Sequence, residues 1–294
     1  MEHKTGFVAL SGRPNAGKST LLNAVLGQVV SIVSPKPQTT RNRIVGIHNL
    51  EGVQIVFVDT PGMMSKERDE LGRRMLRGAR EAVGDADVVV RVIDAARLQK
   101  SAEAGDFKPT GKPTIVALNK VDKVRPKDRL LPMIERFSAF EGVEAVVPVS
   151  ALKKQGLESL VDEIAARLPE GPPLYPLEMI TDRPERFLAA ELVRGAVLRH
   201  TREEVPHAAA VAVTSWTESP KGCHIEAAIY IEKASQKGIV IGRGGSMIKQ
   251  IGEAARMEIA ELLDCPVHLK LRVDVASQWR ADPEALRQLG YDES

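Results

Sequence analysis

Gly12-Arg-Pro-Asn-Ala-Gly-Lys-Ser19 follows the short apolar run Gly6-Phe-Val-Ala-Leu10. It precedes Thr20 to Leu26, where Leu21, Leu22, Val25 and Leu26 recur at helical spacing. Strand, glycine loop, helix is the context in which two glycines bracketing four residues, then Lys and Ser, bind phosphate. Backbone N–H groups from Gly12, Arg13, Pro14's neighbours, Asn15, Ala16, Gly17 and the helix start at Lys18, Ser19 and Thr20 are placed to wrap a phosphate chain. Lys18 is expected at the β/γ-phosphates and the Ser19 hydroxyl on Mg²⁺. The competing reading is an ordinary Gly/Pro loop with a chance Lys-Ser, and the flanks weigh against it.

Bulk properties frame this loop. A length of 294 residues suggests two domains with a sizeable core in each. Apolar content of 43% and charged content of 27% suit a globular chain, and no apolar run is long enough to span a bilayer. Two cysteines, Cys223 and Cys265, lack metal-ligand spacing and fit a reducing compartment. The net charge of +2 is uneven: residues 1–170 carry +5 and residues 171–294 carry −3. Within the second half, Lys233, Lys237, Arg243, Lys249 and Arg256 face only Glu253 in sequence, a local +4. Screening over about 8–10 Å makes that local excess matter more than the domain sum.

Further along the first half, residues 28–50 read as a loop around Pro35-Lys-Pro-Gln-Thr-Thr-Arg-Asn-Arg43, offering the Thr39 and Thr40 hydroxyls to Mg²⁺. The strand Gln54-Ile-Val-Phe-Val58 leads into Asp59-Thr60-Pro61-Gly62. An acid there can hold the metal, and Gly62 leaves its N–H open toward a γ-phosphate. Residues 63–84 read as a helix with a solvated arginine face. Asp87 to Ile93 reads as a strand in which Arg91 is unusual and is placed at a sheet margin; residues 94–113 leave room for a short or irregular helix.

The strand Pro113 to Leu118 runs into Asn119-Lys120-Val-Asp122. The Asp122 carboxylate can accept from guanine N1–H and its 2-amino group, a pattern that adenine lacks. Asn119 steadies the loop and the Lys120 stem covers the ring. Val143 to Val149 ends in Ser150-Ala151, where a backbone N–H can meet the guanine oxygen, and Leu157, Leu160, Val161 and Ile164 form a helical stripe. The alternation implies an α/β domain with a largely parallel sheet, residues 1–169. Pro169-Glu-Gly-Pro-Pro173 opens a docked linker, residues 170–178, before a smaller α+β domain, residues 179–294.

That second domain begins with a helix over residues 184–200 that Asp182 can cap, followed by strands at Ala210 to Thr214 and His224 to Glu232. Ile239-Val-Ile241 leads into Gly242-Arg243-Gly244-Gly245 and a helix marked by Met247, Ile248, Ile251, Ala255 and Ile259. A glycine-x-x-glycine turn before such a helix can clamp nucleic-acid phosphates. Lys237, Gly242, Arg243, Gly244, Gly245 and Lys249 are the candidate RNA contacts, with Trp279 as a base-stacking or packing residue.

With these segments in hand, the chain resembles the Era family of bacterial ribosome-assembly GTPases over essentially its whole length. The first half carries the resemblance through Gly12 to Thr20, Pro37-Gln-Thr-Thr-Arg41, Asp59 to Gly62, Asn119 to Asp122 and Ser150-Ala151. The second half resembles a type II KH domain through Ile180-Thr-Asp-Arg-Pro-Glu-Arg-Phe187 and Ser235 to Gly245. The resemblance implies GTP hydrolysis by a P-loop domain and binding near the 3′ end of small-subunit ribosomal RNA. It also implies a role in 30S assembly in the cytoplasm, with peripheral contact at the inner face of the cell membrane in some relatives, and a monomer. It implies Thr40 as the Mg²⁺ and γ-phosphate ligand beside Ser19 and Asp59. Lys18, Thr40 and Gly62 become the residues acting on the transferring phosphoryl, and Asn15 a support for K⁺. Met63 stands where Ras-type GTPases have a water-orienting Gln; a thioether cannot orient water, so intrinsic turnover is expected to be slow. Two other classes compete: a P-loop ATPase or nucleotide kinase, against which Asn119 and Asp122 argue, and an RNA-binding structural module with a degenerate nucleotide site, against which Lys18, Ser19 and Asp59 argue.

Overall fold

The computed structural model describes residues 3–62, 69–98 and 109–291, and two compact units emerge. The first unit contains β1 (Lys4–Ser11), α1 (Lys18–Leu26), β2 (Ile44–Leu50), β3 (Val53–Asp59), most of α2 (Glu70–Asp85), β4 (Val88–Asp94) and α3 (Ala95–Leu98). After these come β5 (Thr114–Asn119), α4 (Leu130–Ser138), β6 (Val143–Pro148) and α5 (Leu157–Arg167). Its six strands lie in the order β2-β3-β1-β4-β5-β6. All neighbours are parallel except β2, which runs antiparallel to β3. The central strands are apolar on both faces: Val8, Ile55, Val56, Val88, Val90, Ile115 and Leu118 are all buried, as helices on both sides require.

Two sequence expectations change here. Ile44-Val-Gly-Ile47 is a strand rather than part of a loop. Its side chains are buried, and its neighbour β3 supplies the pairing that a lone run of this length cannot announce. Arg91 is not at a sheet margin. It lies on β4 between β1 and β5, opposite Ser11 and Val116, and its Nη1 donates to Ser11 Oγ at 3.0 Å. The expected short helix after β4 is α3, four residues long; residues 99–108 lie outside those described.

Leu174 and Tyr175, within the expected linker 170–178, bond to Gln54 on β3, whereas Ile180 and Thr181, expected in the second domain, pair with β2 and belong to the first unit. The Leu174 and Tyr175 N–H groups donate to Gln54 Oε1, and Gln54 Nε2 donates to the Tyr175 carbonyl. Ile47 N–H donates to the Ile180 carbonyl at 2.7 Å, and Thr181 Oγ1 to the Val45 carbonyl at 2.6 Å.

The second unit comprises α6 (Glu185–His200), α7 (Val205–Ala208), β7 (Ala210–Ser219), β8 (Gly222–Ile231), α8 (Ala234–Ile241), α9 (Ser246–Leu263), β9 (Val267–Val275) and α10 (Pro283–Gln288). Two stretches from earlier in the chain, Ile32–Thr39 and residues 69–74, pack as part of it. The sheet order is β7-β8-β9, with β8 antiparallel to β7 and parallel to β9. One sheet face packs on α6, α8 and α9 through Ile225, Ile229, Ile251, Ala255, Ile259 and Val273. The helix α6 starts after Pro184 with no side-chain cap, so Asp182 does not fill that role. Cys223 and Cys265, 42 residues apart, meet with their sulfurs 3.4 Å apart; burial, then the Cys265 contact, pushes the Cys223 thiol up to about 11.

Candidate functional site

The carboxyl ends of the parallel strands gather the chemistry of the first unit, as the topology dictates. Chain reversal after β1 forms the glycine loop, and α1 opens at Lys18 behind Gly17, which has φ 100°. A β-carbon on Gly17 would lie 2.3 Å from Asn119 Nδ2, so only glycine lets the loop rest on that side chain. The Lys18 amine, almost fully buried, donates to the Gly12 carbonyl at 3.3 Å and lies 3.5 Å from that of Arg13. Burial lowers its pKa, Asp59 opposes that, and Arg91 adds to it. A buried ammonium curled onto loop carbonyls is a donor ready for phosphate oxygens.

Asp59, at the end of β3, is fully buried. Its Oδ2 accepts from Ser19 Oγ at 2.6 Å and Ser31 Oγ at 2.9 Å, with Thr40 Oγ1 at 3.4 Å. The Ser19 and Thr40 hydroxyls are themselves 2.8 Å apart. Oδ1 has no hydrogen-bond partner among the described residues. Burial raises the Asp59 pKa, and Lys18 and the three hydroxyls only partly offset it. A buried carboxylate with an idle oxygen and two converging hydroxyls is an all-oxygen donor set that suits a hard cation such as Mg²⁺. The expected metal residues Ser19, Thr40 and Asp59 therefore converge. Ser31 joins them without any motif signal; Asn23 pins it, accepting from the Val30 and Ser31 N–H groups.

Gly62 passes so close to the loop that a β-carbon would lie 2.7 Å from Pro14 Cα. Between them in sequence, Thr60 turns inward and donates to the Leu10 carbonyl, a brace for β1. Met63 lies outside the described residues.

On the base side, Asn119 is the hub. Its Nδ2 donates to the Ala16 carbonyl at 2.9 Å, and its Oδ1 accepts from the Lys120 and Ala151 N–H groups. Of the backbone donors at Ser150-Ala151 expected to meet the guanine oxygen, the Ala151 N–H donates to Asn119 Oδ1 at 3.1 Å. Ser150 Oγ donates to Asp122 Oδ1 at 2.7 Å, aiming the carboxylate expected to read the base. Lys120 Nζ bonds the Asn15 carbonyl and pairs with Asp94 at 2.6 Å, laying its stem across this corner. Asp94 is a second residue that no motif announced.

In the second unit, α8 ends at Gly242, the turn Arg243–Gly245 follows, and α9 starts behind Gly245 at φ 81°. Arg243 and Gly244 are exposed, and no atom lies within 4 Å of the space a β-carbon on Gly244 or Gly245 would take. Lys249 is 78% exposed, with Glu253 4.0 Å away, and Lys237 is half-buried on α8. The turn with the N-terminus of the 18-residue α9 is therefore open to an anion. Trp279 departs from expectation as an RNA contact. It is fully buried, donates to the Ala208 carbonyl at 2.9 Å and stacks on Tyr291, so it cannot stack on a base.

Comparison with known proteins agrees with both halves. A profile described as 50S ribosome-binding GTPase matches residues 7–120, and a KH-domain profile matches residues 204–280. The chain is 46% identical to GTPase Era of Lactobacillus helveticus over 99% of its own length and 97% of that protein. It is 43% identical to GTPase Era of Bordetella pertussis over 99% of each. Among solved structures, Era in complex with MgGDPNP and nucleotides 1506–1542 of 16S ribosomal RNA aligns with TM-score 0.90 and 40% identity, covering 98% of this chain and 99% of that one. An Aquifex aeolicus Era variant bound to GDP·AlF4⁻ aligns with TM-score 0.91 and 42% identity over 98% and 99%. A GTPase profile over the first part of the chain, a KH profile later in the sequence, and this identity along the full chain place the protein in the Era family of GTPases.

Proposed function

We propose that the protein is a GTP-hydrolysing switch that binds small-subunit ribosomal RNA near its 3′ end and assists 30S assembly. The observation that carries the switch is the convergence of Ser19, Thr40 and Asp59 around an idle buried carboxylate oxygen. Thr40 follows a polar loop, and its approach to Asp59 suits a cation and a terminal phosphate shared there.

In the reaction, water attacks the GTP γ-phosphorus, and positioning with charge neutralisation does most of the work. Lys18 and the Gly12–Ser19 backbone hold the β/γ oxygens. Ser19, Thr40 and Asp59 would hold Mg²⁺, which supplies further neutralisation of the phosphate oxygens when bound. Gly62 N–H faces the γ-phosphate. No side chain is assigned as general base, and with Met63 in the Gln position intrinsic turnover is slow. Asn15, held at φ 63° within the glycine loop, is the K⁺-supporting residue; K⁺ in place of Na⁺ should speed turnover of the wild type but not of Asn15→Ala. The RNA backbone is gripped at Gly242 to Gly245 with Arg243, Lys237 and Lys249 supplying charge. The protein acts as a monomer in the cytoplasm, and peripheral contact with the inner membrane face is tested by co-flotation with anionic vesicles.

The deciding experiment measures binding of a 3′-terminal small-subunit RNA fragment with a non-hydrolysable GTP analogue and with GDP. Tighter binding in the analogue state is expected. Equal affinity in both states would remove the switch, and no uptake of either nucleotide in Mg²⁺ by calorimetry would remove the GTPase.

A further inference from the structure

Arg194 sits in the middle of α6, and its side chain has no exposed surface. Nε and Nη2 donate to the two oxygens of Glu191, one turn earlier, at 2.7 and 2.6 Å. Nη2 also donates to the Thr39 carbonyl at 2.5 Å. Nη1 has no hydrogen-bond partner among the described residues. Burying a guanidinium costs several kcal/mol, and even a well-paired one rarely adds net stability over an apolar residue of the same volume. The α6 residues around it, Leu192, Val193, Ala196 and Val197, are apolar and buried in the core. A charge in that setting calls for a reason other than packing.

The Ile32–Thr39 stretch supplies one, because it belongs to the same unit as α6 and is held there at three points. Ile32 joins the core, and its Cγ2 would lie 3.3 Å from a β-carbon on Gly195, so a side chain at 195 would crowd it. Gly in a helix interior costs about 1 kcal/mol relative to Ala, a cost that close approach by the loop explains. The Lys36 amine donates to the carbonyls of Leu198 and Thr201, at the C-terminal end of α6 where a cation is favoured. Arg194 holds the last residue of the stretch. One peptide bond later stands Thr40, whose hydroxyl meets Ser19 and Asp59.

We propose that Arg194, braced by Glu191, is a positioning residue for the GTPase: by holding the Thr39 carbonyl it keeps the Thr40 hydroxyl where the γ-phosphate state needs it. This rests on the reading of Thr40 as a Mg²⁺ and γ-phosphate ligand. The coupling runs both ways by linkage: a nucleotide that engages Thr40 strengthens the Arg194–Thr39 bond, and one that releases Thr40 loosens the loop from α6. The guanidinium suits this task better than an ammonium, since its rigid fork can grip a carboxylate and a carbonyl at once.

The test is a double-mutant cycle on the full chain, reading equilibrium affinity for a non-hydrolysable GTP analogue and for GDP in Mg²⁺. Arg194→Lys should weaken the analogue about tenfold while GDP changes less than about twofold. Thr40→Ala should show the same preference, and the double variant should lose no more than Thr40→Ala alone. Glu191→Gln repeats the Arg194→Lys arm with the guanidinium kept, and serves alone if Arg194→Lys does not fold. Thr40→Ala binding the analogue like wild type would overturn the Thr40 reading. Loss in Thr40→Ala with no loss in folded Arg194→Lys or Glu191→Gln would overturn the Arg194 proposal alone. So would equal weakening of both nucleotides, or additive losses, since a residue that only stabilises the fold has no preference between nucleotides.

Discussion

The proposed nucleotide site and the proposed RNA-binding glycine turn of the second unit would both meet phosphate, yet they are prepared in opposite ways. In the first, Lys18, Asp59, Thr40 and Asn119 are buried and already hydrogen-bonded to the protein. In the second, Arg243 and Gly244 stand in solvent, and the space beside Gly244 and Gly245 is empty. Buried donors act in a low dielectric, where geometry is strict and each lost partner is costly. Solvated donors act through summed charge and backbone shape, so losses there should be smaller and depend on salt. On the proposed reading, the first site would discriminate between ligands that differ by a single group, and the second would tolerate many sequences along a strand.

Substitutions can break this contrast. Lys18→Ala removes a buried charge-assisted contact and should cost nucleotide binding about 2–5 kcal/mol by calorimetry, with RNA affinity in the absence of nucleotide unchanged. Asp122→Asn swaps one acceptor for a donor and should cost about 1.5–3 kcal/mol for GTP. The same change should narrow the preference for GTP over xanthosine triphosphate, whose ring carbonyl an amide can meet. A retained GTP preference would show that Asp122 does not read the base.

Asp59 sharpens the comparison through pH. Its folded-state pKa is raised, chiefly by burial, above the ordinary 3.8. The folded protein therefore binds more protons than the unfolded chain between 3.8 and the raised value, and stability from this group is lost as pH rises through that window. Asp59→Asn should melt about 2–4 °C higher than wild type without ligand at neutral pH, lose that advantage toward pH 4, and fail to bind nucleotide in a Mg²⁺-dependent way. In the open turn, Gly244→Asp meets no clash but sits at φ 59° and adds an anion; RNA affinity should fall about tenfold with nucleotide affinity intact. The smallest effect is Arg243→Ala, expected to lower the slope of log affinity against log salt by about one.

Local signals announced what local physics controls. Glycine loops, acids at strand ends and the Asn119 to Asp122 run are recognisable from residue types a few positions apart, although Asp59 and Asn119 find their partners across the fold. What escaped were features decided by distant partners. The strand at Ile44–Leu50 follows a prolyl loop, and only β3 reveals it. Arg91 was set at a margin because a charge in an apolar run suggests an edge, yet the Ser11 hydroxyl gives it a partner between β1 and β5. Trp279 had two open roles until the Ala208 carbonyl and Tyr291 claimed it. Ser31, Asp94 and Arg194 belong to no motif, because their roles arise from what faces them across the fold.

The segment after α5 ties its backbone to β2, through Ile47 with Ile180 and Val45 with Thr181. As the last strand on that side, β2 would otherwise offer unpaired N–H and C=O groups to any passing chain. Residues 180 and 181 thus cover backbone groups of this edge strand, and removing them would leave it open to pairing with another chain.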